Sequence, residues 1–75
     1  RRKRYNEAQS FLESLTSKYP DYAVAWWNLG VLHRKLRQPK QAQQAWERAL
    51  QVEPDNERIR SALMKLSVQL ESVSE

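Results

Sequence analysis

Apolar residues recur along this chain at intervals of three and four positions, which is the spacing of an amphipathic α-helix. The first such segment covers residues 3–18 and carries on one face Ala8, Phe11, Leu12 and Leu15. It ends before Tyr19-Pro20, because the residue that precedes a proline resists helical dihedral angles. The pattern therefore predicts a first helix over residues 3–18.

The second segment, residues 22–36, has the same period, and its apolar stripe consists of Trp26, Leu29, Gly30, His33 and Leu36. Asp21 stands directly before it, where a carboxylate can accept hydrogen bonds from the free backbone amides of the first turn. We therefore expect a second helix over residues 22–36 with Asp21 as its N-cap.

The third segment begins at Gln38-Pro39, because proline is tolerated at the first position of a helix. It ends before Glu53-Pro54, and its apolar face consists of Ala42, Ala45, Trp46, Ala49 and Leu50. This pattern predicts a third helix that begins at the turn following the second.

The fourth segment follows a cap at Asp55 or Asn56 and runs to about residue 71, with an apolar face made of Ile59, Ala62, Leu63, Leu66 and Leu70. The loops between the four segments have about two to four residues, a length that makes successive helices antiparallel neighbours. The periodicity alone thus predicts an all-α chain of four helices.

An internal repeat relates the first and third helices. Pro20 and Pro54 are 34 residues apart. The same separation relates three further pairs, which are Ala8 and Ala42, Leu12 and Trp46, and Leu15 and Ala49. Four coincident separations along one helix indicate that the third helix repeats the first.

A helix-turn-helix period of 34 residues resembles the tetratricopeptide repeat, whose pattern is W-x2-L-G-x2-Y, then A-x3-F, then P. Here the pattern reads Trp26-x2-Leu29-Gly30-x2-His33, then Ala42-x3-Trp46, followed by Ala49 and Pro54. The resemblance implies an all-α, right-handed solenoid of antiparallel helix-turn-helix units in a single domain. Its parts are the second helix of a partial repeat (1–20), a full repeat (23–56), and either a next first helix or a C-terminal capping helix (57–73).

Three positions of the motif have a physical interpretation. Gly30 and Ala42 lack bulk, so we expect the second and third helices to approach closely there, and a leucine at Ala42 would overpack the contact. His33 stands where the family usually has tyrosine, and we interpret it as a core histidine. Arg37 stands where a turn glycine is common, so the turn either avoids a left-handed residue or strains one by about 1 kcal/mol.

The composition argues against catalysis and metal binding. The 75 residues include no cysteine and one histidine, which excludes disulfides and thiolate ligands and leaves His33 without a second histidine. There is also no glycine-rich phosphate loop. We therefore expect a non-catalytic chain with no catalytic residues, no metal site and no cofactor. The lack of cysteine agrees with the cytoplasm or another reducing compartment, and the soluble domain of a membrane-anchored protein remains an alternative.

Two adjacent tryptophans, Trp26 and Trp27, point about 100° apart on a helix, so one stripe cannot bury both. Trp26 belongs to the core stripe. The resemblance implies that Trp27 faces a concave groove, which consists of Val24, Trp27, Asn28, Val31, Arg34 and Lys35 on the second helix and of Arg58 and Lys65 on the fourth. An exposed aromatic residue beside cations is typical of binding hot spots. The predicted function is an adaptor or assembly scaffold that binds a partner peptide or helix with an apolar anchor and acidic residues.

The same residues allow a structural interpretation. Trp27 would then fold over Leu63 or the preceding helix as additional core, and the cations would form a solvated face. The family's clamp for chaperone carboxyl termini is not expected. Asn28 matches one of its asparagines, but Trp27 and Val31 replace the lysine and asparagine expected beside it.

The net charge of +4 is concentrated at the amino end, where residues 1–20 hold five basic and two acidic side chains. The run made of Arg1, Arg2, Lys3 and Arg4 is either a solvated helix start, a cluster beside anionic lipid, or a phosphate-binding patch. Only Tyr5 accompanies it, whereas a nucleic-acid surface interleaves several aromatic residues with its cations. Nucleic acid is therefore not the expected partner, and membrane proximity remains open.

Apolar residues lie around the circumference of the first helix, including Phe11. About three repeats are usually needed to bury the core of such an array. Another molecule covering this face, and hence a homo-oligomer, is the alternative to groove binding.

Overall fold

A computed structural model describes the backbone of residues 2–73 and the side chains of residues 4–71. Within that range it contains no strand and four helices, α1 (Arg2–Lys18), α2 (Ala23–Lys35), α3 (Pro39–Val52) and α4 (Glu57–Val73). The prediction of an all-α chain with four helices is confirmed, and every helix begins and ends within about two residues of its predicted bounds.

Consecutive helices pack against each other, α1 on α2 and α4 on α3, with the most extensive contact between α2 and α3. The Cα atoms extend over 34 × 32 × 15 Å. The shortest dimension fits two layers of helices whose axes are about 10 Å apart, once a Cα radius of about 2.3 Å is added on each side. Each helix therefore buries one face and leaves another open to solvent.

One aromatic residue forms the centre of the core. The side chain of Trp46 is 1% exposed, and it is the only large side chain buried so completely among those described. The buried residues that surround it are Ala42, Ala49, Ile59 and Leu66. α3 is thus the central helix, and its alanines leave room for neighbours on both sides.

The missing side chain of Gly30 makes room for this indole. A Cβ atom added to Gly30 would overlap Nε1 and Cδ1 of Trp46 and would lie 2.8 Å from its Cε2. The sequence predicts a close approach of two backbones at Gly30, whereas in the structure the space beside Gly30 is filled by a side chain of α3. The glycine is therefore needed for an aromatic residue that lies 16 positions later in the chain.

Trp26 lies at the edge of the core and not at its centre. It packs against the core cluster but keeps part of its surface exposed. Its Nε1 donates a hydrogen bond to the carbonyl of Pro20 at 2.8 Å, and the guanidinium of Arg48 lies 5.5 Å from its ring centroid. Trp26 thus connects the turn between α1 and α2 to α3, and the expectation that it is the core tryptophan is only partly right.

The two predicted N-caps have different outcomes. The prediction of Asp21 is wrong, because the N-cap of α2 is Tyr22 and no side chain caps it. At α4, Asn56 is the cap, since its Oδ1 accepts hydrogen bonds from the amides of Arg58 at 3.0 Å and Ile59 at 3.2 Å. Of the two alternatives for α4, the structure therefore supports Asn56.

His33 is a structural histidine, as predicted. Its side chain is buried, and its Nδ1 lies 2.7 Å from Oε1 of Gln38. Because this oxygen can only accept, Nδ1 is the donor. The hydrogen bond connects the end of α2 to the residue that precedes α3.

The turn between α2 and α3 places Arg37 in the left-handed region, with φ of 60°. The amide of Gln38 donates to the carbonyl of His33 at 2.8 Å, and that of Arg37 donates to the carbonyl of Arg34 at 3.0 Å. These two bonds form a Schellman motif, in which glycine is the usual residue at the position of Arg37. Of the two expectations for this turn, the strained one is correct.

Replacing Arg37 with glycine is expected to raise the free energy of unfolding by about 1 kcal/mol, since glycine has no Cβ that opposes a positive φ. Urea denaturation of Arg37→Gly against the wild type measures the change. Arg37→Ala is the matched control because it removes the same charge and keeps the Cβ. An equal gain in both variants would show that charge, and not backbone strain, is responsible.

Candidate functional site

Trp27 is held against the centre of the core. Its ring stacks on that of Trp46, with centroids 5.0 Å apart and planes inclined by 18°. The Nε1 of Trp46 donates a hydrogen bond to the carbonyl of Trp27 at 3.0 Å. Trp27 is nevertheless only half-buried. The aromatic surface that remains exposed is therefore fixed in place by the core beneath it.

A first cavity, here called the basic pocket, lies between α2 and α4 beside Trp27. Its volume is about 260 Å³, and its lining consists of Trp27, Arg34, Arg58, Ser61, Ala62, Lys65 and Leu66. Three of these side chains are cationic and none is a carboxylate. The basic pocket therefore attracts a negatively charged group.

A second cavity, here called the apolar pocket, lies between the first turns of α2 and α4. Its volume is about 140 Å³, and its lining consists of Ala23, Val24, Trp27, Glu53, Asn56, Arg58 and Ile59. Trp27 and Arg58 also line the basic pocket. The two pockets together form one continuous feature between α2 and α4, called the α2–α4 groove below.

The order and packing of these helices agree with a comparison against models of known families. The model of the tetratricopeptide repeat matches residues 1–66. The chain belongs to the tetratricopeptide-repeat family. Tetratricopeptide repeats are generally non-catalytic modules of protein–protein interaction, and the family indicates protein partners. A comparison with curated protein sequences gives no significant match.

Five of the eight predicted groove residues of this tetratricopeptide-repeat chain line the α2–α4 groove, namely Val24, Trp27, Arg34, Arg58 and Lys65. The other three lie elsewhere. Asn28 is exposed and lines neither pocket, and Val31 is half-buried against the core cluster. Lys35 lines a different cavity, of about 480 Å³, beside Tyr5 and Asn6 of α1.

Some groove residues were not among the predicted ones. Ile59 contributes to the apolar pocket although it is buried, and Glu53 and Asn56 line the same pocket from the loop before α4. Trp46 lies beneath the groove and supports Trp27. The pairing of a glycine in one helix with a large aromatic residue in the next is the sequence signal for this support, since the aromatic ring needs the space that glycine leaves.

The opposite face of the tetratricopeptide-repeat domain has a different chemistry. A cavity of about 710 Å³ between α1, α2 and α3 is lined mainly by glutamines, which are Gln9, Gln38, Gln41, Gln44 and Gln51, together with Glu13, Trp26, Leu29, His33, Ala45, Glu47 and Arg48. Its charged residues are mixed in sign. The concentration of positive charge without carboxylates therefore distinguishes the basic pocket from this larger cavity.

Other predicted features have limited structural information. Of the basic run, Arg1 and the side chains of Arg2 and Lys3 lie outside the described residues, and Arg4 is exposed. Phe11 is 64% exposed on α1. Among the described residues, no three histidine, cysteine or acidic side chains are grouped as metal ligands would be. No described helix has the length and hydropathy needed to cross a membrane.

Proposed function

We propose that this tetratricopeptide-repeat domain acts as an adaptor or assembly scaffold that binds a segment of a protein partner in the α2–α4 groove. The observation that supports the proposal is the position of Trp27, which lines both pockets and is held from below by Trp46. The segment has an apolar anchor and acidic residues. Trp27 and Val24 provide contact area, and the cations provide charge complementarity.

A fixed aromatic side chain is well suited to this role. Binding normally costs about 0.5–1.5 kcal/mol for each flexible side chain that becomes ordered. The stacking on Trp46 and the hydrogen bond to the backbone of Trp27 order this residue before a partner arrives. Tryptophan and arginine are also enriched among the residues that dominate binding energies.

The three cations favour recognition over a merely solvated surface. Arg34, Arg58 and Lys65 come from two helices and line the same cavity of about 260 Å³. Like charges brought together in this way repel each other unless an anion lies between them. A partner carboxylate would relieve that repulsion and would also accelerate association.

A library of random dodecapeptides displayed on phage tests this function without knowledge of the natural partner. We expect the wild-type domain to enrich a family of sequences, and we expect Trp27→Ala combined with Lys65→Glu to weaken their binding at least about tenfold, equivalent to about 1.4 kcal/mol. Lys65→Glu alone serves as a second variant, since Lys65 is exposed and its replacement leaves the core intact.

The matched control is Met64→Ala combined with Lys40→Glu. It makes the same kinds of change at two exposed residues outside the groove. Circular dichroism verifies that each variant is folded. Equal binding by the wild type, the groove variants and the control would contradict the proposed site.

A further inference from the structure

The two pockets are separated along the groove by a distance that a short peptide can span. On α2, their lining residues centre near positions 25 and 30, and on α4 near positions 58 and 62. With a rise of about 1.5 Å per helical residue, the pocket centres are about 6–8 Å apart. In an extended peptide, residues i and i+2 point to the same side and are about 6.6 Å apart.

The width of the groove favours an extended occupant over a helical one. Side chains from both α2 and α4 line each pocket, and Trp27 and Arg58 reach both pockets from opposite walls. A helix with its side chains is about 10–12 Å wide. A single extended strand is narrower and can lie along the line between the two walls.

The apolar pocket is sized for one side chain. Its volume of about 140 Å³ is close to that of an engineered protein cavity that holds benzene, about 150 Å³. Val24, Ile59 and the edge of Trp27 provide apolar contact there. We therefore expect a leucine, isoleucine or phenylalanine side chain in it.

Glu53 gives the groove a polarity. It lines the apolar pocket only, and its Oε1 accepts a hydrogen bond from Nδ2 of Asn56 at 2.9 Å. An acidic residue placed at this end would meet a like charge, whereas at the other end it would meet three cations. An acidic residue can therefore occupy the basic pocket but is disfavoured in the apolar pocket.

From this arrangement we infer that the groove recognises an extended peptide in which an apolar residue and an aspartate or glutamate are separated by one residue. The apolar side chain enters the apolar pocket, and the carboxylate enters the basic pocket, among Arg34, Arg58 and Lys65. This inference rests on the proposed function and specifies the partner sequence that the groove selects.

Position-scanning libraries of synthetic octapeptides test the inference, with the folded domain in fluorescence-polarisation binding assays. For the wild type we expect an apolar preference and an acidic preference two positions apart. Arg34→Glu combined with Lys65→Glu should convert the acidic preference to lysine or arginine and leave the apolar one unchanged. Val24→Lys should remove the apolar preference, at least about tenfold, and retain the acidic one.

Two further variants complete the experiment. Glu53→Gln should reduce the exclusion of acidic residues from the apolar position, and Lys40→Glu, outside the groove, should change neither preference. An acidic preference four positions from the apolar one would indicate a helical occupant and would overturn the inference, as would any selection that ignores the charge reversal. Binding of no peptide above the level of Trp27→Ala with Lys65→Glu would instead contradict the proposed function itself.

Discussion

Gly30→Ala is expected to lower the free energy of unfolding by about 2–3 kcal/mol, although alanine is the better helix former. The added methyl group would overlap the indole of Trp46, which is 1% exposed and has no open space into which it can move. Overpacking of this kind costs about 1–3 kcal/mol, and displacing the indole also breaks its hydrogen bond to Trp27, worth about 1 kcal/mol. The higher helix propensity of alanine offsets about 1 kcal/mol of this loss.

Urea denaturation monitored by tryptophan fluorescence measures this effect, and a double-mutant cycle identifies its cause. Because the overlap involves atoms of the five-membered ring of Trp46, the cost of Gly30→Ala should be much smaller in a Trp46→Phe background. An unchanged cost in that background would mean that the loss arises elsewhere in α2. A stabilisation by Gly30→Ala in the wild-type background would contradict the packing described here.

Leu66→Ala is expected to lower the free energy of unfolding by about 2–4 kcal/mol and to detach α4 from α3. Leu66 is 2% exposed and, with Ile59, belongs to the cluster that attaches α4 to the core. Truncation of a buried leucine typically costs about 2–5 kcal/mol. In repeat folds each unit contacts only its neighbours, so a terminal helix can open while the remainder stays folded.

The consequence for the groove is more specific than a general loss of stability. α4 carries Arg58 and Lys65, so its detachment removes one wall of both pockets. We expect amide hydrogen exchange to accelerate first in α4 and peptide binding to decrease with the same variant. Met64→Ala is the matched control, since Met64 is on the same helix and 66% exposed, and it should change stability by less than about 0.5 kcal/mol. Uniform acceleration across α2, α3 and α4 would contradict separate opening of α4.

The helices and the repeat could be predicted because their signals are local. The three- and four-residue period, the prolines at positions 20, 39 and 54, and the separation of 34 residues each depend on residues close in sequence or on copies of one unit. The same separation relates the groove positions of α2 to those of α4. It therefore identified Arg58 and Lys65 as groove cations before any contact between the helices was known.

The positions of Lys35 and Asn28 show the limit of this transfer. Both occupy groove positions by resemblance, yet Lys35 lines a cavity beside α1 and Asn28 lines neither pocket. Neighbouring positions on a helix point about 100° apart. Which of them reaches a cavity depends on where the adjacent helices cross, and a sequence period does not contain that information. The prediction of an N-cap at Asp21 was wrong for a similar reason, because the geometry of the turn begins α2 after Tyr22.

The adjacent tryptophans show most clearly what each level decides. The sequence by itself determined four helices, the 34-residue repeat and the divergence of Trp26 and Trp27 around α2, since backbone period and proline geometry depend on neighbouring residues. Only the tertiary structure decided that Trp46 occupies the centre of the core, that Trp26 lies at its edge and that Trp27 is both support and exposed surface. That assignment depends on the space beside Gly30, which one indole ring from α3 fills and no second one can share.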